Sequence, residues 1–346
     1  MESNRFFGFE RSLENMEKTF GHLADGREAR LYTIESGRVR AEVTSYGASL
    51  VSLWVDGVDV CLGCDDVRGY EKNGAFLGAT VGRNANRMKG AAFILNGETV
   101  RLPANEGSNN LHSGPDSWGW RLWEKTAHTV SSLTLSIHSP HGDQGFPGNA
   151  DVSVTYTIED NGLTISYRAV SDRDTAFNLT NHAYFNLFGQ DKPERAMDQE
   201  LMLPAESFCP DDAANIPTGE VRSVEGTPFD FRAFKPIGRD IDMDYEPLHL
   251  QGGYDHNFVN NQSVCAVMRN PESGLTMTVT TDLPGVQVYA GNFLANRGKG
   301  GICYGKRSGV ALETQFFPDS VNHPEWVQPF VKAGKVFETV TRYAFE

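Results

Sequence analysis

The sequence lacks the features that mark membrane, secreted and nucleic-acid-binding proteins. No stretch approaches about 18 uninterrupted apolar residues, the length of a membrane helix, and no apolar core of a signal peptide follows the first residues. Basic residues are in the minority, because 31 Lys and Arg oppose 45 Asp and Glu, which gives a net charge of −14. Such a chain repels phosphate backbones and anionic lipid surfaces, so neither nucleic acid nor a membrane is expected as a partner.

Cysteine is scarce as well. The five cysteines are odd in number and scattered, which is typical of free thiols in a reducing compartment and predicts a cytoplasmic protein. Cys61 and Cys64 have the spacing of half a zinc site, but no second pair follows them, so a role in strand packing is expected. The sequence contains no GxxxxGK[ST], no strand-linked GxGxxG and no GxSxG motif. We therefore expect neither a metal nor a cofactor.

Strand and turn signals are abundant. The chain has 35 Gly, 16 Pro, 21 Phe and 11 Tyr, a composition that favours turns and strands. Asn96-Gly97 and Asn161-Gly162 each separate two apolar segments, which predicts tight hairpins. No helical stripe recurs between the strands, so a doubly wound α/β fold is disfavoured. The pattern indicates one antiparallel β domain over residues 21–346 after a weakly structured leader, residues 1–20, whose end could form a short surface helix.

Two predicted strands carry polar side chains that suit chemistry. Period-2 alternation places His182 on the polar face of segment 177–185 and Glu313 on the polar face of segment 310–316. Taken alone, this pattern is better explained by two outward, solvated faces. It also does not show that the two strands meet.

Other polar residues lie in predicted loops. Asp255 follows two glycines and would cap a turn, whereas Arg83 and Arg87 would be ordinary surface arginines. His112 would be a loop histidine. Each explanation is adequate for its own segment, and the argument for a site comes from all the segments together.

Together these segments resemble the aldose 1-epimerase family, the galactose mutarotases. They occur in family order over about residues 30 to 346, which is far more specific than one short motif. The matching motifs are GATVGRNANR (78–87), NLHSG (110–114), DQGFPGN (143–149), TNHAYFNL (180–187), YDHNF (254–258), PGVQVYAGNF (284–293) and LETQFFPD (312–319).

The resemblance implies an all-β fold, a β-supersandwich of large antiparallel sheets crossed by a sugar cleft. It implies an isomerase that interconverts the α and β anomers of free hexoses such as galactose and glucose, in hexose and galactose metabolism. His182 matches the family's catalytic acid and Glu313 its catalytic base. Arg83 ranks lower than the positions that match residues holding sugar hydroxyls, which are Asn86, Arg87, His112, Tyr184, Asp255 and Gln287.

These residue types suit the reaction. Anomerisation removes a proton from the C1 hydroxyl and delivers one to the ring oxygen O5, so the C1–O5 bond opens; rotation about C1–C2 precedes closure. A carboxylate can take the first proton, and an imidazolium with an ordinary pKa of about 6.5 can give the second. Glu313 is therefore expected to be ionised and His182 protonated in the resting enzyme. The expected pH dependence of kcat/KM is a bell rather than a flat line across about pH 5–9.

Alternatives to a free-hexose mutarotase stay open. A hexose-phosphate 1-epimerase should add a basic phosphate pocket. A non-catalytic carbohydrate-binding relative would be favoured if His182 or Glu313 were replaced, and a glycosidase would need two carboxylates such as Glu313 and Asp255. The loop after His112 departs from the family pattern, and its Trp118 or Trp120 could line the cleft mouth. The expected partner is a small monosaccharide, bound by a monomer or homodimer.

Overall fold

The structure, a computed structural model, describes residues 16–71 and 74–346, and β-strands dominate this part of the chain. Its two α-helices are short, Val67–Glu71 and Glu246–Gln251. In the same residues, no helix has the length and apolar character needed to span a membrane. Short 3-10 helices connect several strands: Lys89–Ala91, Trp118–Trp120, Asp143–Gly145, Pro193–Asp198, Ile237–Arg239, Lys299–Gly301 and Ser320–Asn322.

The largest sheet has nine antiparallel strands. In spatial order they are Glu124–His128, Ser132–Ser139, Ala150–Glu159, Gly162–Ser171, Val336–Phe345, Thr276–Thr281, Val264–Arg269, Glu200–Met202 and Lys235–Pro236. The hairpin predicted around Asn161 and Gly162 is confirmed, and its turn residues Asp160 and Asn161 both have positive φ, as a tight hairpin requires. Side chains along its two long strands are alternately buried, so one face of the sheet packs on the core.

A six-stranded sheet positions the polar residues of interest. Its strands, all antiparallel to their neighbours, are Tyr184–Phe185, Val310–Gln315, Gly285–Tyr289, Asp255–Val259, Ser207–Cys209 and Arg222–Ser223. Every residue of Val310–Gln315 is buried, because this strand lies inside the sandwich with neighbours on both sides. The register pairs Glu313 with Gln287 and Tyr184 with Ala311, so strands far apart in sequence become adjacent.

The third large sheet has five strands and corrects the predicted leader. In order they are Glu17–His22, Glu28–Ser36, Val39–Thr44, Ser49–Val55 and Val58–Asp59. Glu17 pairs with Tyr32, and Phe20 is buried in the core, so the leader boundary at residue 20 is too late. The helix predicted towards residue 20 is wrong over 17–20, because pairing with the second strand overrides local helix propensity. Residues 1–15 lie outside the described part.

Five two-stranded ladders complete the strand list. They are Arg87–Met88 with Asn110–Leu111, Thr80–Val81 with Thr180–Asn181, Thr175–Ala176 with Phe330–Val331, Ala92–Leu95 with Glu98–Arg101, and Asn296–Arg297 with Cys303–Tyr304. The predicted turn at Asn96 and Gly97 is confirmed, since Leu95 pairs with Glu98 across it. The first two ladders matter for function, because they fix loops that carry predicted site residues.

One continuous apolar core joins the three large sheets. It contains Val43 and Leu53 of the five-stranded sheet, Val154 and Ile165 of the nine-stranded sheet, and Val288 of the six-stranded sheet. All five side chains are withdrawn from solvent, so the sheets pack face to face as layers around a shared interior. The predicted all-β fold of large antiparallel sheets is confirmed.

Candidate active site

The residues singled out from the sequence converge on one cavity of about 510 Å³ at the edge of the six-stranded sheet. Gln287 and the lower-ranked Arg83 do not line the cavity. The residues that do are Asn86, Arg87, His112, His182, Tyr184, Asp255 and Glu313. The wall also contains side chains that the sequence reasoning missed, among them Phe76, Glu106, Leu111, Tyr289 and Phe293.

His182 and Glu313 face each other inside this cavity. The His182 Nε2 and Glu313 Oε1 atoms are 3.5 Å apart. The main chain of His182 donates to Ala79 O and accepts from the Gly78 N–H. Glu313 lies on the buried strand Val310–Gln315. The explanation of two outward, solvated faces is therefore wrong for both segments. The polar faces of both segments are buried. The first segment is not one continuous strand, since His182 lies between the short strands Thr180–Asn181 and Tyr184–Phe185, and the second of these pairs with Val310–Gln315.

Burial sets the protonation of this pair. It lowers the pKa of His182 to about 4. Burial also raises the pKa of Glu313 well above its usual value; the negative charge of Asp255 adds to this and Arg87 opposes it. The expectation of an imidazolium and a carboxylate in the resting enzyme is corrected. In the empty cavity the favoured form is a neutral imidazole beside a protonated carboxyl group, because desolvation disfavours both charges.

His112 presents a defined hydrogen-bond donor. The Asn86 main-chain N–H donates to His112 Nδ1 at 3.1 Å, so in the neutral ring the proton is on Nε2. Burial holds the pKa of His112 well below its usual value, and the charges of His182 and Arg87 add to this effect. The ring is therefore neutral near neutral pH.

This tautomer also decides whether the cluster suits a metal. His112, His182 and Glu313 each offer a ligand atom, and these atoms lie within 4.8 Å of one another. A metal needs a lone pair, but His112 Nδ1 accepts a backbone N–H and Nε2 carries the proton. The donor set therefore fits a hydroxyl group better than a metal ion.

Arg87 and Asp255 also line the cavity. Arg87 is bidentate to Glu106, through Nε to Oε2 at 2.7 Å and Nη2 to Oε1 at 3.0 Å. Asp255 Oδ1 accepts from Gln287 Nε2 at 2.8 Å, so Gln287 acts on the cavity through Asp255. Two nitrogens of the Arg87 guanidinium, Nε and Nη2, are therefore bound to Glu106. The third nitrogen, Nη1, takes no part in this ion pair and can donate to a ligand.

Aromatic rings enclose His182. The Tyr184 ring centroid is 5.0 Å from that of His182, and its hydroxyl donates to Ala75 O at 3.0 Å. Phe76 lies over the site, with its ring 6.1 Å from His182 at an interplanar angle of 28°. Trp120 packs against Phe76 with a centroid separation of 4.1 Å. These rings exclude water from the imidazole, which is consistent with its lowered pKa.

Three predictions about neighbouring residues are settled by burial. Trp118 is fully buried in the core and does not reach the cleft mouth, so that suggestion is wrong, and Trp120 stands behind Phe76. Arg83 is fully buried outside the cavity, so it is not a surface arginine. Cys61 and Cys64 are buried thiols beside main-chain carbonyls, as expected for a packing role.

Fold and site together define a galactose mutarotase-like β-sandwich with a buried histidine and a buried glutamate facing each other in its cleft. Residues 30–344 match the family model described as Aldose 1-epimerase. The chain is 39% identical to aldose 1-epimerase of Haemophilus influenzae, with 96% of this chain and all of that protein covered. It is 38% identical to galactose mutarotase of Bos taurus over 94% of this chain and 97% of that one. The chain belongs to the aldose 1-epimerase family.

A solved structure supports this assignment. The aldose epimerase homologue from C. elegans superposes with a TM-score of 0.85 at 32% identity, covering 91% of this chain and 98% of that chain. The protein is accordingly an isomerase of the aldose 1-epimerase type that acts on sugars. The fold and activity expected from the motifs are confirmed.

Proposed function

We propose that this protein converts free hexoses such as galactose and glucose between their anomers, with His182 as the acid and Glu313 as the base. The observation that carries the proposal is the separation of 3.5 Å between His182 Nε2 and Glu313 Oε1 in a buried cavity. Two opposed proton-transfer groups at that distance can serve O5 and O1 of one pyranose ring, which are attached to the same carbon.

His182 and Glu313 together supply and remove all the protons that ring opening requires. In the reactive complex Glu313 takes the O1 proton, His182 gives its proton to O5, the C1–O5 bond breaks and the C1=O1 carbonyl forms. His182 is then neutral and Glu313 protonated, which is the form that burial favours in the empty cavity. Closure on the other carbonyl face reverses both transfers. Sugar hydroxyls that hydrogen-bond to the charged forms favour imidazolium and carboxylate in the complex.

The remaining predicted residues supply orientation. His112 Nε2–H is a donor and Asp255 an acceptor for ring hydroxyls, and Gln287 orients Asp255. Asn86 and Arg87 line the same wall, with Arg87 anchored by Glu106. We assign Tyr184 mainly to support of the His182 ring, because its hydroxyl is already donated to Ala75 O. Holding the sugar in one pose makes both proton transfers effectively intramolecular.

Charge in the cavity favours free hexoses over hexose phosphates. Among the described lining residues, Arg87 is the one Arg or Lys, and it is paired with Glu106. Asp255 and Glu313 add two more carboxyl groups. A phosphate dianion would therefore meet carboxyl groups and no unpaired Arg or Lys among these residues, so this feature argues against the hexose-phosphate alternative.

Polarimetry of freshly dissolved sugars tests the proposed function. We expect the protein to accelerate equilibration of α-D-galactose and α-D-glucose well above the spontaneous rate, and to leave glucose 6-phosphate at its spontaneous rate. The ratio of kcat/KM values for the two hexoses gives the sugar preference. Acceleration of the phosphate alone, or of none of the three, would refute the proposal.

The pH dependence of kcat/KM is a second prediction. The active enzyme carries one proton on the His182–Glu313 pair. As pH falls through about 4, His182 also becomes protonated and the pair holds two protons, so activity falls. As pH rises through the raised pKa of Glu313, the pair loses its only proton and activity falls again. We expect an acid limb nearer pH 4 than the ordinary histidine value of about 6.5, measured after subtraction of the spontaneous rate. An acid limb near 6.5 would contradict this model.

We further propose a cytoplasmic enzyme of hexose metabolism, monomeric or homodimeric, that binds neither nucleic acid nor membranes. Four cysteines are buried, and Cys303 is exposed. An exposed thiol is compatible with a reducing compartment. The net charge of −14 disfavours polyanionic partners. Sedimentation velocity at several concentrations separates monomer from homodimer.

A further inference from the structure

Asp319 is a buried carboxylate that lies outside the cavity but contacts the segment carrying Arg87. It comes shortly after the buried strand Val310–Gln315, and Asp319 is 2% exposed. Its main-chain N–H donates to Arg87 O at 2.9 Å, and its Oδ1 accepts from the Lys89 N–H at 2.9 Å. Asp319 thus fixes the main chain at Arg87 and again two residues later.

The carboxylate is held in place at an energetic cost. Asp319 has a φ of +59°, a left-handed conformation that few non-glycine residues adopt. Oδ1 also accepts from Asn322 Nδ2 at 2.7 Å. Oδ2 is buried, has no hydrogen-bond partner among the described residues, and lies 3.7 Å from His323 Nε2. Burial raises the pKa of Asp319, opposed by its hydrogen bonds and by His323. An ordinary turn would not need a buried carboxylate here.

Arg87 has few other restraints on its main chain. The strand Arg87–Met88 is two residues long and pairs only with Asn110–Leu111. Glu106 restrains the guanidinium but not the backbone. The residue before it, Asn86, has a φ of +61°, so the chain turns sharply on entering the strand. The Arg87 N–H also donates to Asn86 Oδ1 at 2.8 Å. The hydrogen bonds to Asp319 add restraint at the Arg87 carbonyl oxygen and at the Lys89 N–H.

We propose that Asp319 is a positioning residue for Arg87: it pins the backbone around Arg87 and thereby sets the affinity for the sugar without touching it. The inference rests on the proposed role of Arg87 as a residue that binds sugar hydroxyls. Misplacement of a binding group by a fraction of an ångström weakens ground-state and transition-state binding alike, which raises KM and leaves kcat nearly unchanged.

Two substitutions separate the carboxylate from the backbone conformation. Asp319→Gly keeps the left-handed backbone without strain but removes the acceptor for Lys89 N–H. Asp319→Asn keeps an acceptor oxygen and tolerates positive φ. We expect Asp319→Gly to raise KM about tenfold with kcat within about twofold, and Asp319→Asn to stay within about threefold of the wild-type KM.

Asp160→Gly is the matched control. Asp160 also has positive φ, but it lies in the exposed hairpin turn of the nine-stranded sheet, away from the cavity. Its replacement should leave KM unchanged. Thermal unfolding of all variants then shows whether a change in KM accompanies a loss of stability.

A double-mutant cycle distinguishes positioning from general destabilisation. In an Arg87→Ala background, Asp319→Gly should raise KM no further, because the group it positions is gone. An equal rise in both backgrounds, or an unchanged KM in Asp319→Gly alone, would overturn the proposal.

Galactose titration by calorimetry gives the same comparison without turnover. If the wild-type protein binds galactose but does not accelerate its mutarotation, the proposed function is refuted. The positioning role of Asp319 is still tested in that case, by the galactose affinities of the variants. A wild type that neither binds nor converts galactose refutes both.

Discussion

Glu313→Gln and His182→Asn should each lower kcat by about 10²–10⁴, the usual contribution of one general acid or base. Glutamine keeps the shape of glutamate, and asparagine is smaller than histidine but keeps a polar amide group, so the fold should persist. What each variant loses is the ability to exchange a proton with the sugar oxygen that it serves, O1 for Glu313 and O5 for His182. The measurement is initial-rate polarimetry with α-D-galactose, with circular dichroism to confirm folding.

The double variant adds a sharper expectation. The two groups act in the same step, because one removes a proton from the sugar while the other delivers one, so loss of either disables that step. The kcat of the double variant Glu313→Gln with His182→Asn should therefore be only slightly lower than that of the less active single variant. Multiplicative losses would indicate that the two groups act independently and would contradict the shared-proton mechanism.

Glu106→Gln is the matched control for Glu313→Gln. Both residues line the cavity, but Glu106 contacts Arg87 rather than the reacting pair. Its replacement weakens the hold on the guanidinium, so we expect KM to rise and kcat to change by less than about threefold. A fall in kcat as large as that of Glu313→Gln would show that any carboxylate lost from the cavity has the same effect.

Turn chemistry made much of the strand layout predictable from the sequence. Asn96-Gly97 and Asn161-Gly162 both mark tight hairpins in the structure. The residues at the two turns, Asn96 with Gly97 and Asp160 with Asn161, all have the positive φ that such turns require. The start of the domain was missed for the opposite reason. Glu17–His22 becomes a strand only by pairing with Glu28–Ser36, a contact that no local pattern reports.

Site residues were within reach of the sequence only where motifs carried them. Alternation alone favoured solvated faces for His182 and Glu313, since period 2 cannot tell an outward face from one buried inside a sandwich. Phe76 lies two residues before a motif, and Glu106, which lines the cavity and contacts Arg87, lies outside every motif. The one available signal for Phe76 was its closeness to the GATVGRNANR motif.

Protonation of the acid/base pair was the least predictable property. Residue type gives an ordinary pKa, but the shift in the pKa of His182 to about 4 comes from desolvation in the assembled cavity. Rings from separate segments, Phe76 and Tyr184, produce that desolvation together. The sequence pairs two residues that the structure does bring together, but it predicts the wrong resting charges for them.

Arg83→Met should lower the free energy of unfolding by about 3–5 kcal/mol, the range expected when several buried acceptors lose their donor. The Arg83 guanidinium donates through Nη1 to Pro147 O at 2.8 Å and through Nη2 to Ser139 Oγ at 2.6 Å and Gly148 O at 3.1 Å. Burial lowers its pKa to about 10, so the group is still charged near neutral pH. Methionine fills similar space and donates nothing.

Two comparisons isolate this effect in urea unfolding. Arg168→Met is the matched control, because Arg168 is an exposed arginine whose ion pair with Glu338 spans 3.4 Å, and its loss should change stability by less than about 0.5 kcal/mol. Arg83→Lys keeps the charge but cannot place donors on both sides of the fork, so it should fall between wild type and Arg83→Met. Equal stability of Arg83→Met and wild type would mean that these carbonyls find other donors. In that case, something other than the buried Arg83 guanidinium would hold residues 139–148 against the segment that carries Arg83.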